Sequence, residues 1–94
     1  MIIVAGTFKF NADKLDDVKK NLIATQTIST SEEGCRVYRF MQSLEDDTVF
    51  HLYEEWDNQA TLDVHAANPE LGKLRDERQP WLDGKADVKF YHLE

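Results

Sequence analysis

Among the side chains that could do acid–base chemistry, His65 has the most favourable position in the sequence. It lies one helical turn beyond Leu62, in a segment whose apolar spacing predicts a helix, so both side chains should face the sheet. A neutral imidazole at the wall of an apolar pocket could accept a proton from a phenol. The alternative interpretation is a half-buried histidine that makes one structural hydrogen bond.

Aromatic and polar side chains near this histidine could complete such a pocket. Trp56 ends a predicted strand just before the helix and could stack on an aromatic ligand, although a tryptophan at such a hinge more often packs in the core. Tyr53 and Tyr38, on neighbouring predicted strands, could offer hydroxyls to a ligand or pack in the core or at a subunit interface. Asn68 could contact a ligand, but its position before a proline is typical of a helix cap.

Other reactive residue types give weaker indications of function. Glu54 and Arg39 are interpreted as structural cross-strand partners. His51 and His92 show no spacing with carboxylates that would predict a metal site, and Cys35 has no nearby His or Lys to activate it. No phosphate-binding glycine loop, serine elbow or flavin or nicotinamide fingerprint occurs. This absence fits a cofactor-free enzyme, and it fits equally a protein that is not an enzyme.

Four segments of the chain have the spacing of β-strands. Period-two alternation predicts strands at 2–10, 35–42, 48–56 and 86–93, and the second and third should form a hairpin around a polar turn.

Helical apolar spacing occurs between these strands. The first predicted helix is capped by Asn11, fades through 25–31 and stops before Gly34. The second is capped by Asp57 or Asn58 and is interrupted at Asn68-Pro69, because proline lacks an N–H and restricts the residue before it. A further helical piece then ends near 80–81.

The resulting order β-α-β-β-α-β predicts one α+β domain of ferredoxin-like type with a four-stranded antiparallel sheet. The 94 residues suit a single domain over 1–94, and 41% of them are hydrophobic. A formal charge of −7 and scattered basic residues argue against nucleic acid as a partner. No apolar run approaches a membrane span or a signal peptide, and a single cysteine favours a reducing, cytoplasmic setting.

Several predicted strands are apolar on both faces. Ile3 and Ala5 oppose Val4 in the first strand, and Val37 opposes Tyr38 in the second. Two helices can cover only one face of a four-stranded sheet, and an uncovered apolar face is unusual in a soluble monomer. We therefore expect a homodimer that pairs through this sheet face by a two-fold axis.

Three motifs follow one another along the chain: Glu32-Glu33-Gly34-Cys35, Tyr53-Glu54-Glu55-Trp56, and Leu62-x-x-His65 followed by Asn68-Pro69. In their order and spacing they resemble the antibiotic biosynthesis monooxygenase domain family of the dimeric α+β barrel superfamily, which includes quinol monooxygenase-like proteins. The resemblance covers nearly the whole chain.

This resemblance implies homodimers with a pocket between sheet and helices in each subunit. It implies oxidation of small phenolic or quinol-like aromatics by dioxygen without metal, flavin or haem. His65 would be the base, Trp56 and Tyr53 the aromatic wall, and Tyr38 and Asn68 further substrate contacts.

The chain departs from the family pattern at two positions. Glu70 stands where relatives have a second histidine, and Asn68 replaces the threonine before the proline. Thr7 and Lys9 occupy the region where haem-degrading relatives carry an asparagine, which argues against haem. The alternative function is a non-catalytic dimeric small-molecule-binding or stress-response domain, and an isomerase-like or carbohydrate-processing relative is a third.

Overall fold

The computed structural model describes residues 1–94 and contains three α-helices and one four-stranded antiparallel sheet, which confirms the predicted ferredoxin-like α+β fold. Two short 3-10 turns, Ala12–Lys14 and Gln79–Trp81, flank the helices. No helix has the length and apolar character that crossing a bilayer requires. The strands are β1 (Ile2–Lys9), β2 (Cys35–Gln42), β3 (Val49–Trp56) and β4 (Asp87–His92), and the helices are α1 (Leu15–Thr30), α2 (Gln59–Ala67) and α3 (Pro69–Arg78).

The strand order in the sheet is β2-β3-β1-β4, and every neighbouring pair is antiparallel. Val4 of β1 lies opposite Glu54 on one side and Phe90 on the other, so these three side chains point to the same face. That face, the inner face, is covered by the helices and contains the buried core. Its buried strand residues are Ile2, Val4, Tyr38, Phe50, Leu52, Glu54 and Trp56.

Helix α1 extends to Thr30, so the predicted fading of the helix through 25–31 is wrong. The hydroxyls of Thr25, Thr27 and Thr30 donate to carbonyls four residues back at 2.9, 2.9 and 2.7 Å. Each hydroxyl group therefore has a hydrogen-bond partner within the helix itself. Because Thr25 and Ser29 are also buried, tertiary packing outweighs the weak helix propensity of Ser and Thr.

The start of α1 also differs from the prediction. The Asn11 side chain makes no capping hydrogen bond, and a 3-10 turn precedes the α-helix proper at Leu15. Instead, the Asn11 backbone amide donates to Trp81 O at 2.8 Å. The beginning of the first helical segment is therefore fixed by the segment that follows α3.

The predicted break at Asn68-Pro69 is confirmed. Asn58 begins α2 with a capping box that it forms with Thr61. Asn68 ends α2, and its side chain accepts from Glu70 N at 3.0 Å to cap α3, with Pro69 in the first turn. The two helices therefore meet at a fixed angle directly after His65.

Gly34, in the turn before β2, has a φ of +80°. A Cβ at this position would lie 2.3 Å from Thr61 Cγ2, far inside van der Waals contact. The turn therefore needs glycine for its backbone conformation and for its close approach to α2.

The outer face of the sheet has no covering helix. It carries Ile3 and Ala5, which are half-buried, together with Met41 (44% exposed) and Tyr91 (48% exposed), and polar side chains such as His51 lie between them. The predicted two-faced apolar pattern of the strands is thus present, and its outer half is open.

Candidate active site

A cavity of about 410 Å³ lies between the inner face of the sheet and helices α2 and α3. Its walls are mostly apolar, and a few polar side chains reach into it, as in many small-molecule sites. The last strand, β4, supplies the outer wall with partly exposed side chains. Apolar lining residues include Val4, Leu52, Leu62, Leu71, Val88 and Phe90.

His65 lines this cavity, and its side chain is only 11% exposed. Helix α2 directs it inward because Leu62, one turn earlier, is buried against the sheet. The imidazole packs on Trp56 with ring centroids 4.6 Å apart and on Tyr38 with centroids 5.5 Å apart. These contacts hold the ring in one orientation at the cavity wall.

Glu32 fixes the other side of this imidazole. His65 Nδ1 lies 2.7 Å from Glu32 Oε1, and Asn68 Nδ2 donates to Glu32 Oε2 at 3.2 Å. An ionised carboxylate can only accept, so a neutral His65 carries its proton on Nδ1 and presents Nε2 as the acceptor. A histidine with this tautomer and a carboxylate behind it is arranged as a general base.

Glu54 lies on the Nε2 side of His65. Its Oε1 is 3.8 Å from His65 Nε2 and accepts a hydrogen bond from Trp56 Nε1 at 2.7 Å. Burial raises the pKa of Glu54 to about 7, against the lowering effects of the Trp56 hydrogen bond and the Arg75 charge. Glu54 therefore exchanges its proton near neutral pH, beside the acceptor nitrogen of the histidine.

Tyr38 is the other titratable side chain in this part of the cavity. Burial, and after it the nearby Glu54 charge, raises the pKa of the Tyr38 hydroxyl far above its ordinary value. Tyr38 thus stays a hydrogen-bond donor at any physiological pH. Tyr38 and His65, both named as candidate site residues, line the same cavity.

Three other predicted site residues do not line this cavity. Trp56 is 0% exposed and lies behind His65, so it cannot stack on a ligand as predicted; it supports His65 and Glu54 instead. Tyr53 points to the outer face, where its hydroxyl donates to Glu55 at 2.5 Å, so Tyr53 and Trp56 form no aromatic wall in this cavity. Asn68 caps α3 and holds Glu32 rather than facing the cavity.

The sequence interpretation also missed residues of the site. Glu54 was paired with Arg39, but the register places Tyr38 opposite Glu54 and Arg39 opposite Tyr53, on the other face. The period-two pattern of β3 contains this information, since Glu54 lies two residues from each of the inward residues Leu52 and Trp56. Two arginines of α3, Arg75 and Arg78, also line the cavity.

The remaining reactive side chains lie apart from this cavity. His51 contacts Thr7 at 3.2 Å on the outer face, and Glu70 is exposed on α3 without reaching the cavity. Burial raises the pKa of the Cys35 thiol to about 11, which makes it a poor nucleophile. No group of three His, Cys, Asp or Glu side chains could hold a metal ion.

Known structures share this fold. A Deinococcus radiodurans protein named for the antibiotic biosynthesis monooxygenases has a TM-score of 0.92 at 22% identity, with 100% of this chain and 93% of that chain covered. A Nitrosomonas europaea protein so named also has a TM-score of 0.92 at 22% identity, covering 98% and 97%. A Mycobacterium tuberculosis protein has a TM-score of 0.90 at 22% identity, covering 99% and 94%.

Sequence comparison identifies the family. Residues 1–77 match the model of the antibiotic biosynthesis monooxygenases, and the chain belongs to that family. The uncharacterized protein sll1783 of Synechocystis is 34% identical over 96 residues. That match covers 98% of this chain and 63% of the relative, so the chain spans less than two thirds of the relative's length.

Proposed function

We propose that this protein is a cofactor-independent monooxygenase that acts on a small phenolic or quinol-like aromatic. The observation that carries the proposal is the arrangement at His65. Glu32 holds Nδ1 at 2.7 Å, and the ring lines an apolar cavity of about 410 Å³. Membership of the antibiotic biosynthesis monooxygenase family supports the same chemistry.

In this proposal His65 accepts the phenolic proton on Nε2. Glu32 then stabilises the imidazolium through its 2.7 Å contact with Nδ1. The phenolate is electron-rich and reduces dioxygen directly. For a phenol with a free para position, the phenol and one dioxygen give a para-quinone and one water; one oxygen atom enters the ring, and the substrate supplies all four electrons.

Glu54 and Tyr38 complete the proposed machinery. Because the pKa of Glu54 is raised to about 7, its carboxyl can take up or return a proton beside His65. Tyr38 is the proposed substrate-binding residue, since its hydroxyl stays protonated and can donate to the phenolate oxygen. The apolar walls exclude bulk water from the anion.

The alternative, a non-catalytic binding or stress-response domain, predicts a closed interior filled by Trp56. Trp56 is fully buried, yet it does not fill the cavity, which stays open beside His65. Because a small-molecule-binding domain would also have an open cavity, the contact between His65 and Glu32 is what favours the enzyme.

We further propose that two chains pair through the outer face of the sheet. Ile3 and Met41 leave apolar surface there that no helix of the chain covers. Pairing with a second copy would bury it. A reducing, cytoplasmic location is also proposed, because the single cysteine has no partner within the chain.

Oxygen consumption by the metal-free protein with a panel of phenols and quinols tests the proposed activity. We expect consumption above the uncatalysed rate, and a decrease of about 100-fold or more in His65→Ala. His92→Ala is the matched control, because His92 is an exposed histidine that does not line the cavity. Circular dichroism verifies that each variant is folded.

Two results would overturn the proposal. The first is a folded wild-type protein that consumes no oxygen with any member of the panel. The second is activity that survives in His65→Ala, which would remove the base from the proposed site.

A further inference from the structure

Helix α3 presents two arginines to the cavity. Leu71, Arg75 and Arg78 lie at positions i, i+4 and i+7, so they form one stripe on the face that packs towards the sheet. Arg78 is only 8% exposed, and Arg75 is half-buried. Two permanent positive charges are therefore held at the wall of a largely apolar cavity.

Neither guanidinium forms an ion pair with a carboxylate; the ion pairs of the chain involve Lys9, Arg36 and His65. Arg78 Nη1 donates to Asn21 Oδ1 and Thr25 Oγ1, both at 3.1 Å and both neutral. A buried charge with only neutral partners is costly, and an anion at the remaining donors would compensate it.

The neighbouring groups compensate the charge of the two arginines only in part, through the effect of Arg75 on the pKa of Glu54. Arg75 Nη2 donates only to Ala66 O, at 3.3 Å. Two carboxyl groups, Glu54 and Asp63, line the same cavity. Glu54 bonds to Trp56 at 2.7 Å, Asp63 accepts from Gln59 Nε2 at 2.7 Å, and neither pairs with an arginine. An anionic ligand group would therefore add the ion pair that neither arginine makes within the chain.

Two aromatic side chains connect the base to Arg78. Tyr38 packs on His65 at 5.5 Å and on Phe40 at 5.7 Å, and the guanidinium carbon of Arg78 lies 5.9 Å from the Phe40 ring. His65, Arg75 and Arg78 also line one cavity, so a single ligand in it can meet the imidazole and a guanidinium.

We propose that Arg75 and Arg78 form a carboxylate-binding subsite, and that the preferred ligand is an aromatic acid that also carries a hydroxyl. The planar guanidinium fork matches a carboxylate. The role of the hydroxyl rests on the proposed function, because His65 would be its base. The carboxylate subsite itself requires only binding.

Equilibrium binding of two matched probes tests the subsite without turnover. 6-Hydroxy-2-naphthoate carries a hydroxyl and a carboxylate at opposite ends, and 2-naphthol lacks the carboxylate; ligand fluorescence under anaerobic conditions gives both Kd values. We expect the acid to bind about tenfold or more tightly than the naphthol, since hydrogen bonds to charged groups contribute strongly.

Charge-removing variants locate the effect. We expect Arg75→Gln to weaken binding of the acid about tenfold and to leave 2-naphthol unchanged. Lys73→Gln removes the same charge from the exposed side of the same helix and should alter neither Kd. Arg78→Lys keeps a charge near Asn21 and Thr25, so it protects the fold while it loses the planar fork, and acid binding should weaken.

The proposal is overturned if wild type binds both probes equally, if Arg75→Gln weakens both equally, or if Lys73→Gln reproduces the loss. The outcome is independent of the proposed function. Selective acid binding without oxygen consumption would leave the subsite and reject the monooxygenase. Oxygen consumption with neutral phenols and no acid preference in binding would do the reverse.

Discussion

The indole Nε1 of Trp56 donates to Glu54 Oε1 at 2.7 Å, and both side chains are buried on the inner face of β3. The indole of Trp56 therefore binds the Glu54 carboxyl group rather than a ligand. Since the same indole packs on His65 with ring centroids 4.6 Å apart, one buried residue orients both Glu54 and His65.

The first prediction concerns stability against pH. The pKa of Glu54 is raised to about 7 in the fold, whereas the same carboxyl ionises near pH 4.5 in the unfolded chain. Between these values the unfolded chain releases the proton and the folded chain retains it, so the free energy of unfolding falls as the pH rises. We expect wild type to lose about 3 kcal/mol relative to Glu54→Gln between pH 4.5 and 7.

Urea unfolding at a series of pH values measures this difference. Glutamine is uncharged, and its amide oxygen can still accept from Trp56, so the variant preserves the contact. A free-energy difference that stays constant across the range would show that Glu54 ionises normally in the fold.

The second prediction concerns Glu32. Glu32→Gln removes the charge that faces His65 Nδ1, and we expect kcat to fall about tenfold or more. KM should not change, because Glu32 does not line the cavity. Glu33→Gln, at the exposed neighbouring position, is the control for net charge. An unaltered kcat in Glu32→Gln would mean that the carboxylate does not position the base.

The third prediction compares two helix caps. Asn58 and Asn68 each accept a backbone N–H at 3.0 Å, so Ala at either position should cost about 1 kcal/mol of unfolding free energy. Only Asn68 also donates to Glu32, so only Asn68→Ala should lower kcat. Urea unfolding and steady-state kinetics measure both effects. Equal kinetic effects in the two variants would contradict the link from Asn68 to the base.

The fourth prediction separates two constraints on glycine. Gly34→Ala combines a φ of +80° with a contact of 2.3 Å to Thr61, and we expect a cost of at least about 2 kcal/mol. Gly84→Ala has a φ of +88° in open space and should cost about 1 kcal/mol. Gly72 lies inside α3, and a Cβ added there would have no atom within 4 Å. We therefore expect Gly72→Ala to raise the free energy of unfolding by about 0.5–1 kcal/mol. Thermal or urea unfolding gives the ranking, and Gly34→Ala no worse than Gly84→Ala would contradict the packing argument.

The fifth prediction concerns the proposed dimer. Ile3→Lys places a charge on the outer face of the central strand β1, and we expect the dimer to dissociate. Val64→Lys, at a position that is 68% exposed on α2, is the matched control and should stay dimeric. Sedimentation velocity distinguishes the two states. A wild-type monomer at micromolar concentration would reject the sheet-face pairing.

Strand alternation and turn residues made most of the fold predictable from the sequence. The break at Asn68-Pro69 follows from the missing proline N–H alone. The extent of α1 was not predictable, because Thr25 and Ser29 have low helix propensity and stay helical only because their side chains are buried.

The candidate site was only partly predictable. Helical spacing turned His65 inward, but the same parity argument, applied to β3, would have separated Tyr53 from Trp56. The full burial of Trp56 depends on how α2 packs, which no local pattern encodes. The positions of Arg75 and Arg78 at the cavity were not predicted, because charged residues on a helix usually indicate its solvent-facing side.

The position of β4 at the rim of the cavity places part of the lining outside the residues that match the family model. The family model ends at residue 77, and it includes Glu32, Glu54 and His65. Val88 and Phe90, which form the outer wall, lie beyond that point, as does Arg78. We therefore expect substitutions in β4 to change which molecules enter the cavity while Glu32, Glu54 and His65 stay in place.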